Sequence, residues 1–278
     1  MIRILTGLGV GAIALGAIAP AAQAYTINMG GTWVAPAGRY ELLEIVSALP
    51  YDQRVSDGGL APLQPGYLWG EAYTSLEVGL GNDLSTALTV PYDAIRPEGQ
   101  GTRHGLSDVG LSLSRRLWKR DGSSGRLRLR ATLPTGNAQE GLGAGTTGLA
   151  LQHSQAHKLT PNLQAVFNLN AGSALPGTAS GGTRWSGCRF DVHAGLITKL
   201  SPSWYACLEG LSNWQTTGTL DGTVKADTSS SLVQIAPGLT YLITPDVAVQ
   251  ASVLLPVMRQ ATQDAYPVGL VLASSFDF

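Results

Sequence analysis

From residue 39 onward, apolar and polar positions alternate in short runs separated by clusters of turn formers. In 125–134, Leu127, Leu129, Ala131 and Leu133 point one way, and Arg126, Arg128, Arg130 and Thr132 point the other. In 163–172, Leu163, Ala165, Phe167, Leu169 and Ala171 alternate with Gln164, Asn168 and Asn170; in 188–200, Phe190, Val192, Ala194 and Leu196 alternate with Arg189, Asp191, His193 and Lys199. In 67–80, Leu68, Ala72, Leu76 and Val78 oppose Glu71, Tyr73 and Glu77, and Val247, Val249, Ala251 and Val253 form a further apolar row. A period of two is the signature of strands with one apolar face. Two stretches fit poorly: 147–159 puts His153 and Gln155 on the face of Leu149 and Leu151, and 39–47 shows no clean alternation.

Tight turns are expected at Gly81-Asn82-Asp83, Arg120-Asp121-Gly122, Thr160-Pro161-Asn162, Ser201-Pro202-Ser203 and Thr244-Pro245-Asp246. Longer polar or Gly-rich loops fall between them, near 48–65, 93–105, 135–146, 174–186, 217–228 and 258–265. Short turns at one end and long loops at the other predict an all-β, antiparallel transmembrane barrel of about twelve strands. Both chain ends would then lie on the short-turn, periplasmic side.

Lipid contact follows from the arginines. Arg126, Arg128 and Arg130 on one face of a single strand would each cost roughly 2–4 kcal/mol in mid-bilayer, but little in a wet lumen. The polar face is therefore expected inside and the apolar face outside. In 204–216 the outward row begins at Trp204 and ends at Trp214. Ten residues rising about 3.3 Å each and tilted about 40° span roughly 25 Å, which makes Trp204 and Trp214 an aromatic girdle at the two interfaces.

Composition agrees. Only 13% of the 278 residues are charged, against roughly 25% in soluble domains. No stretch of the mature chain reaches the roughly 20 apolar residues of a membrane helix. A net charge of −1 gives no footprint for nucleic acid. At the N-terminus, Arg3, the apolar run Ile4 to Ala19, Pro20 and Ala22-Gln23-Ala24 read as a signal peptide, residues 1–24, cleaved after Ala24. Residues 25–38 are then a short periplasmic lead-in and 39–278 the barrel, exported to a bacterial outer membrane. At the other end, Phe276 and Phe278 close an alternating strand, and a terminal Phe in that setting resembles the signal read by the outer-membrane assembly machinery.

The chain also resembles the outer-membrane family named for the meta-pathway of phenol degradation, which is similar to the fatty-acid and toluene transporter barrels. The residues that carry the likeness are Trp33 with Pro36-Ala37-Gly38, Gly105-Leu106-Ser107-Asp108-Val109, Thr132-Leu133-Pro134-Thr135-Gly136 and Val253-Leu254-Leu255-Pro256. The resemblance implies a barrel of twelve or so strands and uptake of small hydrophobic or aromatic compounds.

Other motifs carry less. Gly143 to Gly148 matches GxGxxG, but a strand follows where a dinucleotide site needs a helix. His153 and His157 lie about 13 Å apart along a strand and cannot chelate one metal together. Cys207 should lie opposite residue 197 and Cys188 opposite residue 216, which leaves two free thiols. No cofactor is called for and no enzymatic chemistry is expected. The candidate functional residues line the lumen: Arg116, Arg126, Arg128, Arg130, Glu71, Glu77, Asp108, Arg189, Asp191 and Glu209. They fit a channel for passive uptake of small solutes, aromatic or hydrophobic ones among them. They equally fit a structural or adhesive barrel whose interior is plugged by its own charges. A lipid hydrolase is a third reading, but neighbouring His153 and Ser154 point to opposite faces of a strand.

Overall fold

The computed structural model describes Thr32 and residues 34–56, 59–179, 182–185, 187–225, 230–260, 264–265 and 268–278. The expected signal peptide and Trp33 lie outside the described residues. Twelve long strands form the wall: β1 (Tyr40–Ser56), β2 (Gly59–Gly81), β3 (Leu84–Pro97), β4 (Gly110–Arg120), β5 (Ser123–Thr132), β6 (Gly148–Thr160), β7 (Leu163–Ala174), β8 (Cys188–Lys199), β9 (Trp204–Gln215), β10 (Ser230–Thr244), β11 (Val247–Gln260) and β12 (Gly269–Asp277). Each pairs antiparallel with its neighbour in sequence, and β1 pairs with β12 as well as β2, so the sheet closes on itself.

Local chemistry explains the hairpins. The β2–β3 turn needs two residues with positive φ to match the strand twist, and Asn82 (φ 51°) and Asp83 (φ 60°) supply them. All five tight turns gather at one end of the barrel. Tyr40 and Phe278 meet there too, exchanging both backbone hydrogen bonds (2.7 and 3.0 Å) with their rings stacked at 5.7 Å.

The outward face carries Leu76, Leu88, Leu113, Leu129, Leu151, Leu169, Leu196, Leu208, Leu239 and Leu272, all exposed in the isolated chain. So large an apolar belt is stable only in lipid. Trp204 and Trp214 lie on it, 45% and 42% exposed, as does Phe278. Trp204 packs on Tyr241 across the β9–β10 pair, their centroids 4.8 Å apart.

Several expected loops are largely paired strand. The β1–β2 ladder runs out to Ser56↔Gly59, past a register shift between Tyr51 and Gln53, and so enters the stretch read as a loop at 48–65. Short strands Gly177–Ala179 and Gly182–Trp185 pair with each other, as do Gly218–Leu220 and Thr223–Lys225, and β11 continues to Gln260. Alternation is demanded only where one face meets lipid. Above the bilayer a hairpin can go on pairing with any polar sequence, so its strands leave no periodic trace.

The unpatterned stretch 39–47 is the barrel seam. Glu41, Leu43 and Ile45 face inward; Tyr40, Leu42, Glu44 and Val46 face outward. The alternation is blurred because the lumen beside it is apolar. Ile45 packs with Val271, Ala273 and Leu254, and the cluster continues through Ala236, Leu211, Cys207, Ile197, Val166 and Ala156. The interior is therefore not uniformly polar, as the sequence reading assumed. The β7–β12 side lines it with apolar side chains toward the short-turn end.

Candidate functional site: a divided lumen

Inward residues of β2 to β6 build the polar wall. Register sets Arg116 directly opposite Arg126, Arg128 opposite Ser114, and Arg130 opposite Ser112. Arg128 donates to Glu77 Oε2 at 2.7 Å and to Ser114 Oγ at 2.9 Å. Glu77 is 4% exposed, and its Oε1 accepts from Ser85 Oγ at 2.6 Å. Arg126 and Glu209 are also buried, at 3% and 0%. With Ser114, Ser154, Asn168 and Thr240, all buried, they make a packed waist rather than an open pore.

The described part of the expected lead-in completes that waist. Val34 and Ala35 are 1% and 2% exposed. Ala35 N–H donates to Glu77 Oε1 at 3.3 Å, Arg116 Nη2 donates to the Val34 carbonyl at 2.9 Å, and Thr32 Oγ1 meets Ser124 Oγ at 2.6 Å. Glu77, Arg116 and Ser124 all face inward, so the chain before β1 runs across the inside of the short-turn mouth. Its approach depends on Gly79. A Cβ there would sit 1.8 Å from the Pro36 carbonyl oxygen, and Gly38 N–H donates to the Gly79 carbonyl at 3.2 Å. Pro36-Ala37-Gly38, one of the resemblance motifs, is thus the corner that turns this segment into β1.

Two other motifs dock on each other at the long-loop mouth. Asp108 accepts from Gly136 N–H at 2.9 Å and Ala144 N–H at 2.6 Å; Thr135 Oγ1 donates to the Ser107 carbonyl and accepts from Val109 N–H. Gly136 is required by contact, since a Cβ would lie 1.9 Å from the Leu142 carbonyl oxygen. Asp108 therefore ties the 133–147 loop to the wall; its carboxylate is not a free lumenal charge. The GxGxxG stretch lies in this loop and leads into β6.

Above the waist the lumen opens into a cavity of about 520 Å³. Arg128 and Arg130, Gln152, Asn168 and Asn170, and Arg189, Asp191 and His193 line it from β5, β6, β7 and β8. Both Asp191 oxygens are bound, by Arg189 Nε and Asn170 Nδ2, each at 2.8 Å. Glu71 faces Asp93 across β2 and β3, outside the cavity. A second space of about 400 Å³ lies below the waist, beside Lys119, Arg120, Lys158, Lys199 and Tyr205. Of the residues named from sequence, Arg128, Arg130, Arg189 and Asp191 meet at the upper cavity. Arg116, Arg126, Glu77 and Glu209 meet at the waist or its rim. The cavity residues Gln152, Asn168, Asn170 and His193 and the waist residues Val34, Ala35 and Gly79 were not singled out. Alternation placed the first four inward, but only charge had been used to choose among inward positions.

Outside, His153 and Gln155 lie on the face of Leu151, as their positions in the pattern required. His153 Nε2 meets Gln155 Nε2 at 2.7 Å, and Gln155 Oε1 meets His157 at 3.2 Å. Cys207 pairs in register with Ile197, and Cys188 exchanges hydrogen bonds with Thr216; both thiols are free.

A closed twelve-stranded antiparallel barrel with an apolar outer belt and a charged interior defines the class: a β-barrel of the outer-membrane type. Residues 52–263 match the family described as "Putative MetA-pathway of phenol degradation", and the chain belongs to that family. No curated protein matches it in sequence. Its fold is similar to the crystal structure of an outer membrane channel from Pseudomonas putida F1, with a TM-score of 0.79 and 14% identity over 91% of this chain and 100% of that one. It is also similar to the NanC porin, with a TM-score of 0.56 and 9% identity over 84% of this chain and 98% of that one.

Proposed function

We propose that the protein is an outer-membrane channel for passive passage of small solutes, held closed in this conformation by its own N-terminal segment. Its short turns and both ends of the chain would face the periplasm, and its chemistry would be passage rather than catalysis. The observation that carries the reading is the divided lumen. Two spaces, of about 520 and 400 Å³, are separated by a waist that includes Val34 and Ala35 of the chain before β1. Twelve tilted strands 4.7–4.9 Å apart give a backbone diameter of roughly 20–23 Å, wide enough to conduct once such a segment leaves. That the relatives in fold are outer membrane channels supports the same reading.

A structural barrel with a charge-plugged interior is the second reading, favoured by the burial of Glu77, Arg126 and Glu209. Planar-bilayer conductance of Gly79→Val, and of a chain lacking residues 25–35, decides between them. Channel function predicts conductance at least fivefold above that of the full chain in both. A plugged barrel predicts no conductance in any of the three.

A further inference from the structure

We infer that the upper cavity is a binding site for small hydroxylated carboxylates, which makes the channel selective for organic anions over neutral or cationic solutes of the same size. This rests on the channel reading for its consequence, though not for the site itself.

Charge is the first observation. Three guanidinium groups and one carboxylate line the cavity. Arg128 is matched by Glu77 and Arg189 by Asp191, whereas Arg130 forms no ion pair among the described residues. Glu71 acts on Arg130 only from beyond ion-pair distance, so the Arg130 fork faces the cavity open to a ligand, and a carboxylate is the group that satisfies it with two parallel hydrogen bonds. Arg130 lies over Gly110, where a Cβ would come within 3.2 Å of its nitrogens, so the wall leaves room for the guanidinium.

The rest of the lining is the second observation. Gln152 and Asn170 present amides to the cavity, the latter with its Nδ2 on Asp191, and His193 presents an imidazole; no Phe, Tyr or Trp is among the described lining residues. Carboxamides recognise hydroxyl groups by donating and accepting at once. An apolar or aromatic solute would meet no ring and would strip water from three arginines. A volume of about 520 Å³ holds a solute of roughly a dozen carbon and oxygen atoms with some water. The small residues Gly148, Ala150 and Gly172 create that space on β6 and β7. In this respect the cavity departs from the hydrophobic substrates that the family resemblance implies.

The test uses three six-carbon polyols with one skeleton: gluconate (charge −1), sorbitol (neutral) and protonated glucamine (+1). Binding is read on the folded full chain in detergent by saturation-transfer NMR. Flux is read separately in vesicles, with the full chain and the chain lacking residues 25–35. Saturation should transfer to gluconate at least fivefold more than to sorbitol or glucamine. The preference should vanish in Arg130→Gln and persist in Arg130→Lys, with folding of each variant checked by heat-dependent gel mobility. If Arg130→Gln does not fold, Arg189→Gln should weaken the same preference severalfold. Equal transfer to gluconate and sorbitol, or none to gluconate, overturns the site whatever the flux. Gluconate binding with no flux of any polyol in either chain upholds the site and overturns the channel. Gluconate binding with faster gluconate flux upholds both.

Discussion

The waist and the cavity above it use the same residue types to opposite ends. At the waist, Glu77 pairs with Arg128, which reaches down from the cavity floor, their side chains 6% and 23% exposed, and Glu77 also holds Ser85 and the Ala35 amide. Above it, Arg189 and Asp191 are bonded at the same kind of distance, 2.8 Å, but the Arg189 side chain is 60% exposed to the cavity. A charge that is surrounded becomes structure, because losing its partner leaves it uncompensated in a dry place. A charge that keeps its water stays available to a ligand and contributes little to stability. The same alternation puts both kinds inside; only the packing around them separates waist from cavity.

Substitutions sharpen this contrast. The largest effect is expected from Glu77→Ala, which removes the partner of Arg128 and should cost about 3 kcal/mol in urea unfolding of the lipid-embedded barrel. Asp108→Ala should cost about 1–3 kcal/mol of local stability, because the Gly136 and Ala144 N–H groups lose a charged acceptor. The loss should be confined to the 133–147 loop, so protease nicking there should rise while the barrel midpoint stays put. Phe278→Ala removes the stack on Tyr40 at the seam and should cost roughly 0.5–1.5 kcal/mol by the same unfolding measurement. Smallest is Arg189→Ala, expected at about 0–1 kcal/mol. A large loss at Arg189 and none at Glu77 would reverse the assignment of waist and cavity.

Much of the wall was legible because lipid enforces it. Leu127 to Leu133, Trp204 to Trp214 and Leu270 to Phe278 had to alternate, and the turns at Asn82-Asp83 and Asp121-Gly122 had to bend. The interior was less so. Inward positions answer to no uniform solvent: Ile45, Val166 and Leu211 belong to one packed apolar cluster, while Arg130 is exposed to the cavity. Alternation alone cannot distinguish them, which is why 39–47 looked unpatterned. The hairpins of β1–β2 and β10–β11 extend beyond the bilayer, where nothing forces a period. The segment 34–38 has no period at all, and the burial of Val34 and Ala35 depends on partners such as Glu77, Gly79 and Arg116 that are distant in sequence. Arg126, Arg128 and Arg130 were visible as one inward row. That the first is buried, the second paired and the third open is a property of neighbouring strands.

Closure of the lumen rests on Thr32, Val34 and Ala35, which sit inside the barrel. Thr32→Cys with Ser124→Cys, in a chain also carrying Cys188→Ser and Cys207→Ala, tests it most directly, since the two native hydroxyls lie 2.6 Å apart. The account predicts that mild oxidation forms the disulfide in the folded barrel, that conductance in planar bilayers is then abolished, and that reductant restores the openings. Two thiols that stay fully titratable after oxidation, or conductance indifferent to the crosslink, would contradict it.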